Sequence, residues 1–197
     1  MTIRRGTYLS SRSPSPFAAL RGRTAGRGFA GRAGLAAAVL LATASAVAAQ
    51  ALQTGPSGLP LPRFASTKSA PVNIRMGPSP DHEVAYTFVK PGIPVEITQE
   101  FDVWLRVRDS EGQEGWVKKT LLSGKRTALV APWEKSGTTA VRDKPDIGAK
   151  IVATIEPGVR IDLSECSGRW CRLSVEGVSG WIEQGRIWGA YPDESFR

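Results

Sequence analysis

The sequence holds one histidine, two cysteines and two methionines among 197 residues. The lone histidine, His82, sits between Asp81 and Glu83 in a Pro-rich loop, and no second cysteine pair exists to complete a tetrahedral zinc site. No metal and no cofactor is expected. A glycine-rich phosphate loop and a serine-centred elbow are also missing, so neither nucleotide chemistry nor acyl transfer has a visible residue set. A Cys–His pair would need a free thiol, and both thiols are expected to be oxidised. An enzyme is not expected. No Asp or Glu precedes Asp81, and helical periodicity is absent after residue 50. The apolar run Leu35 to Ala49 is 15 residues long. That is short of the roughly 20 residues that cross a bilayer.

What is present begins with a charge asymmetry. Seven arginines lie before residue 34, whereas residues 50 to 197 carry 19 Lys or Arg against 18 Asp or Glu. The formal charge of +8 therefore belongs to the N-terminus, and no nucleic-acid partner is implied for the rest. The basic leader, its apolar run and the small-x-small site Ala46-Val47-Ala48 predict a signal peptide over residues 1–49. Cleavage would place the protein in the periplasm or cell envelope with no stable membrane span. The alternatives are an uncleaved anchor or a start codon upstream of the true one. Residues 50–66 are rich in Gly, Pro and Ser and are expected to form an extended linker.

One pattern then occurs twice, about 66 residues apart. Val72 to Val117 and Ala140 to Ile182 align with Arg75 opposite Arg142 and Pro91-Gly92 opposite Pro157-Gly158. Trp104 aligns with Trp170, and Gly115-Trp116 with Gly180-Trp181. A duplication of this length means two copies of one small module. Period-two alternation (Ile93, Val95, Ile97; Val159, Ile161, Leu163) and Gly-containing turns give about five short strands per copy. Strands this short protect their edges by curling into a small barrel. Thr127-Ala128-Leu129-Val130 is expected to close barrel one (67–131) and Ile187 to Tyr191 barrel two (132–191), leaving a frayed tail at 192–197.

These residues resemble the bacterial SH3-like domains of envelope proteins. Asn73, Arg75, Gly77, Pro78, Ser79, Gly92, Trp104, Gly115, Trp116 and Val117 follow the family pattern in order. The second copy keeps Arg142, Pro145, Gly158, Trp170, Gly180 and Trp181 but has Asp143-Lys144 where the first has Met76-Gly77. The resemblance implies an all-β chain of two tandem SH3-like barrels. It also implies a non-catalytic module that recognises cell-wall peptide or docks an attached enzyme. The expected partner is a peptidoglycan peptide or an envelope protein. The rival reading is an adaptor whose two barrels pack on each other.

Trp104 and Trp170 are out of phase with Leu105/Val107 and Leu173/Val175, so alternation turns them away from the core. They are candidate ligand platforms, or else pack on a loop or on the other barrel. Trp116 and Trp181 are expected in the core, with the preceding glycine allowing close backbone approach. Arg75 and Arg142 are candidate carboxylate ligands, or else bond loop carbonyls in their own module. His82 reads as solvated. Cys166 and Cys171 flank four residues suited to a hairpin loop, so an oxidising compartment predicts a disulfide. Strict alternation would point Cys166 outward, which predicts a bulge near Ser164-Glu165.

Overall fold

The computed structural model describes residues 1–3, 11–12 and 53–197. The predicted apolar run and its cleavage site lie outside them. Among the described residues the chain forms strands, turns and two single 3-10 turns. No helix there is long and apolar enough to cross a membrane.

Two short strands come from the N-terminal segment, β1 (Thr2–Ile3) and β2 (Ser11–Arg12), and a small pair follows, β3 (Gln53–Thr54) with β4 (Pro60–Leu61). The first module comprises β5 (Arg63–Thr67), β6 (Val72–Arg75), β7 (Val84–Phe88), β8 (Pro94–Phe101), β9 (Trp104–Arg108), β10 (Glu114–Lys118) and β11 (Leu122–Ser123). The second repeats it as β12 (Thr127–Val130), β13 (Thr139–Arg142), β14 (Ile151–Ile155), β15 (Arg160–Ser167), β16 (Trp170–Val175), β17 (Val178–Glu183) and β18 (Ile187–Trp188). The sheets run β11-β5-β8-β9-β10-β6-β7-β2 and, read in the same sense, β18-β12-β15-β16-β17-β13-β14-β1. Every strand of one has a counterpart in the other. The all-β tandem architecture expected from the repeat is what forms.

One strand sits elsewhere than expected. Thr127–Val130 does not close the first barrel; it pairs with β15 and β18 in the second sheet. The first module's corresponding strand is Arg63–Thr67, paired with β8 and β11, and all of it but Thr67 lies in what reads as linker. The neighbouring Pro60 and Pro62 concealed it. Phe64, Ala65, Ser66 and Thr67 are all buried, because this strand packs on its own barrel with one face and on the second module with the other.

The apolar alternation builds a separate core in each module. Val72, Ile74, Val95, Val107 and Val117 fill the first, and Val141, Ile155, Ile161, Leu173 and Ile182 the second. Gly92 and Gly158 turn at φ +73° and +76°, a left-handed conformation glycine adopts without a Cβ clash. The register shifts between Leu163 and Glu165, at the predicted bulge, and between Ile97 and Gln99 at the matching place in the first module. That shift brings Cys166 opposite Cys171, and the two form a disulfide with Cα atoms 4.1 Å apart. Closing so small a loop contributes about 2 kcal/mol. The tail is not frayed. Phe196 exchanges backbone hydrogen bonds with Cys166 at 2.9 and 3.0 Å, and Arg126 grips Glu194 through both nitrogens at 2.8 Å.

The β3–β4 segment is clasped to the first module by Glu100. Its carboxylate accepts from the Ser57 amide (2.8 Å), the Ser57 hydroxyl (2.7 Å) and Arg63 (2.6 Å). Burial works to raise the Glu100 pKa, but these bonds outweigh it and hold it below the ordinary 4.5. A depressed carboxylate stabilises fully above its unfolded pKa and ceases to as pH falls through the folded value. The clasp is therefore expected intact near pH 6 and weakened at a pH well below 4.5. Proteolysis of residues 53–61 at the two pH values checks this, and Glu100→Gln should abolish the difference.

The modules are joined by three residues, Gly124 to Arg126, between β11 and β12. Phe64 stacks edge-on against Trp188 (5.1 Å) and lies 4.8 Å from Tyr191. The Tyr191 hydroxyl donates to the buried Glu96 carboxylate at 2.8 Å, which Arg108 also holds from the adjacent strand β9. Burial, then the Glu96 bond, pushes the Tyr191 phenol far above its ordinary pKa, so it remains a donor. Lys125 reaches Asp162 at 2.8 Å.

Candidate functional site: a repeated Arg-Trp-Arg face

The Gly-Trp-Val sequence of β10 sets its geometry by alternation. Val117 is fully buried in the core, so Trp116 points to the outer face. Gly115 lies on the core side under β6, where an added Cβ would meet Ile74 Cγ2 at 2.5 Å and the Arg75 carbonyl at 2.8 Å. Gly180 repeats this against Val141 (2.6 Å) and the Arg142 carbonyl (2.7 Å). Close approach by the neighbouring strand is the reason for glycine in both copies.

Trp116 is directly opposite Arg75 on one side and Arg106 on the other. Trp181 is likewise opposite Arg142 and Arg172. Residues paired this way share a face with Cβ atoms about 4.5–5.5 Å apart. Each module thus presents a row of arginine, tryptophan and arginine. Trp116 and Trp181 are half-buried, not core as expected. The glycine before each and the aliphatic residue after it, Val117 or Ile182, already occupy the inward phase.

Arg75 donates from Nη1 to the His82 carbonyl at 2.6 Å, and Arg142 from Nη1 to the Ala149 carbonyl at 2.6 Å. Both therefore brace a loop of their own module, and each keeps further guanidinium donors. Arg106 pairs with Glu114 at 2.6 Å, with its side chain 44% exposed. Arg172 is exposed, and its guanidinium has no hydrogen bond or ion pair among the described residues. The second row therefore carries the less compensated positive charge.

Trp104 and Trp170 lie on this same outer face, one pair further along, opposite Lys118 and Glu183. Alternation put them on the right side, but they are not open platforms. They are 6% and 9% exposed, outside the aliphatic cores, and Lys118 Nζ lies 5.7 Å from the Trp104 ring centre. A side chain turned from the core is still buried when neighbouring chain covers it. His82 is exposed, and its ring lies over Gly77, where a Cβ would push it aside. Burial, with Asp109 and Glu114 adding to it, pushes the Tyr86 phenol well above its ordinary pKa. Among the described residues, no group of His, Cys, Asp and Glu is placed to hold a metal ion.

A curated Bacillus subtilis protein, YrvJ, provisionally named an N-acetylmuramoyl-L-alanine amidase, is 21% identical over 118 residues, 56% of this chain and 23% of that protein. The chain spans about a quarter of that relative. Among solved structures, NlpC1 of Trichomonas vaginalis is similar at 13% identity and TM-score 0.29, over 69% of this chain and 48% of that one. An NlpC/P60 family protein of Bacillus cereus is similar at 13% identity and TM-score 0.28, over 64% and 55%. Agreement this loose leaves the fold resting on the sheet order and the family match. The profile of the bacterial SH3 domain fits residues 68–124 and again 135–189, more than half of the chain. With the repeated strand order and the Gly-Trp strands behind it, that double match makes this chain a tandem member of the bacterial SH3 domain family.

Proposed function

We propose that the chain is an exported, non-catalytic binding protein of the bacterial envelope, engaging cell-wall peptide through the two Arg-Trp-Arg faces. The observation that carries this is the repetition. The same three residue types occupy the same register in both modules, although the loops beside them differ in sequence. A peptide bearing free carboxylates and small alkyl groups, the make-up of peptidoglycan stems, suits such a row. Guanidinium pairs with carboxylate, and the indole covers alkyl surface. The expected roles of Arg75 and Arg142 are kept, with Trp116 and Trp181 beside them. Trp104 and Trp170 support the face from below rather than touch ligand.

The adaptor reading is favoured by a different observation, the packing of Phe64 and Glu96 of one module on Trp188 and Tyr191 of the other. Co-sedimentation with purified peptidoglycan separates the two. Trp181→Ala is expected to weaken binding by about 2 kcal/mol, roughly thirtyfold, while the fold is kept. Unchanged sedimentation of a Trp116→Ala/Trp181→Ala double variant would leave the adaptor reading.

A further inference from the structure

One edge strand of each sheet comes from the N-terminal segment. β1 runs parallel to β14 with Thr2 beside Thr154 and Ile3 beside Ile155, and β2 runs antiparallel to β7, the matching strand of the first module. On β14 the contact is more than backbone. The amides of Thr154 and Glu156 donate to the Met1 and Ile3 carbonyls at 3.0 and 2.9 Å. The Thr2 and Thr154 hydroxyls lie 3.1 Å apart. Ile3 is 1% exposed and belongs to the second module's core, with Val141, Ala153 and Ile155. The occupied stretch is shorter than the edge. Ile151 and Val152, at the start of the same strand, are 51% and 38% exposed, and Ile147 before them is 58% exposed.

We propose that the edge of β14 held here by Met1–Ile3 is a strand-acceptor site, which takes an extended polypeptide segment of a partner protein when β1 is absent. The segment would run parallel, with a β-branched apolar residue in the place of Ile3 and further apolar residues ahead of it over Ile151 and Val152. Met1–Ile3 shows the register such a segment takes. Main-chain bonds supply the attachment, and the Ile3 pocket supplies selectivity. A sheet edge with open donors and apolar flanks is otherwise an aggregation hazard, which a seated strand removes. That the slot stands vacant in the cell rests on the export reading above, since a cleaved leader takes Ile3 with it. The test uses the full chain and does not depend on export or on peptidoglycan binding.

Hydrogen exchange at single amides reads the site. In the full chain Thr154 and Glu156 should exchange slowly, and Ile3→Asp should speed both at least about tenfold while Leu173 on β16 is unchanged. The synthetic peptide Met-Thr-Ile-Arg-Arg-Gly, added to the Ile3→Asp chain, should restore protection. A probe with Val-Thr-Val ahead of the same residues should bind about tenfold tighter, through the apolar area it covers. If Ile3→Asp unfolds the module, accelerated Leu173 exchange reveals it and Ile3→Ala takes its place in the same comparison. Fast exchange of both amides in the unaltered chain overturns the proposal. So does failure of the peptide to restore protection, or equal restoration by a peptide carrying Asp for Ile.

Discussion

Trp104→Ala should destabilise the first module by about 3–5 kcal/mol, the range for emptying a buried aromatic site, and Trp116→Ala should cost clearly less. Trp104 is 6% exposed, whereas Trp116 is half-buried on the outer face. A module of this size has total stability of roughly the same order, so the first variant should lose its cooperative transition near room temperature. The same ordering is expected of Trp170 over Trp181, moderated by the Cys166–Cys171 bridge beside Trp170. Thermal melts of the four variants decide it. A Trp116→Ala melt at or below that of Trp104→Ala would mean the outer tryptophan bears the fold, and the row would lose its claim to be a binding surface.

Phe64→Ala should have the second large effect, on cooperativity as well as stability. Its ring is 9% exposed and contacts Trp188 and Tyr191 of the other module, so its loss removes packing worth about 3–4 kcal/mol. The unaltered chain is expected to melt in one transition, and the variant in two, as each module unfolds on its own core. Calorimetry distinguishes these shapes. A single transition in the variant, merely shifted down, would show that the short joint rather than the ring contact couples the modules. Glu96→Gln should leave one transition, because its amide oxygen still accepts from Tyr191.

The repeat made most of this fold legible. Gly-Trp-Val, Pro-Gly and the alternating aliphatics fixed strands, turns and cores because period-two burial and positive-φ glycine are local constraints. What escaped has one physical origin: contacts between segments distant in sequence. The stretch Arg63 to Ser66 reads as linker on its own, since two prolines precede it and its burial comes partly from the other module. The tail reads as frayed, since Arg126 and Cys166 hold it from 68 and 30 residues away. Trp104 illustrates the same limit at one side chain. Alternation gives its direction, but covering chain decides its exposure. Trp116 is different, for its outward direction was available from Gly115 and Val117. A Gly-Trp pair alone suggests a core indole, but the buried Val117 beside it turns Trp116 outward by the same alternation that directs Trp104.

The three-residue joint has a consequence for multivalent binding. Lys125 and Arg126 within it are tied to Asp162 and Glu194, which leaves little slack between the modules. Two sites on a loose tether gain avidity from high effective concentration across many spacings; two sites on a stiff one gain it only where the target's repeat matches their separation. With both Arg-Trp-Arg faces binding as proposed, the molecule would act as a caliper. On a polymer of regular period it should grip strongly at one spacing and as a single module at others, so ligands cross-linked at different lengths would be sorted by length rather than by chemistry.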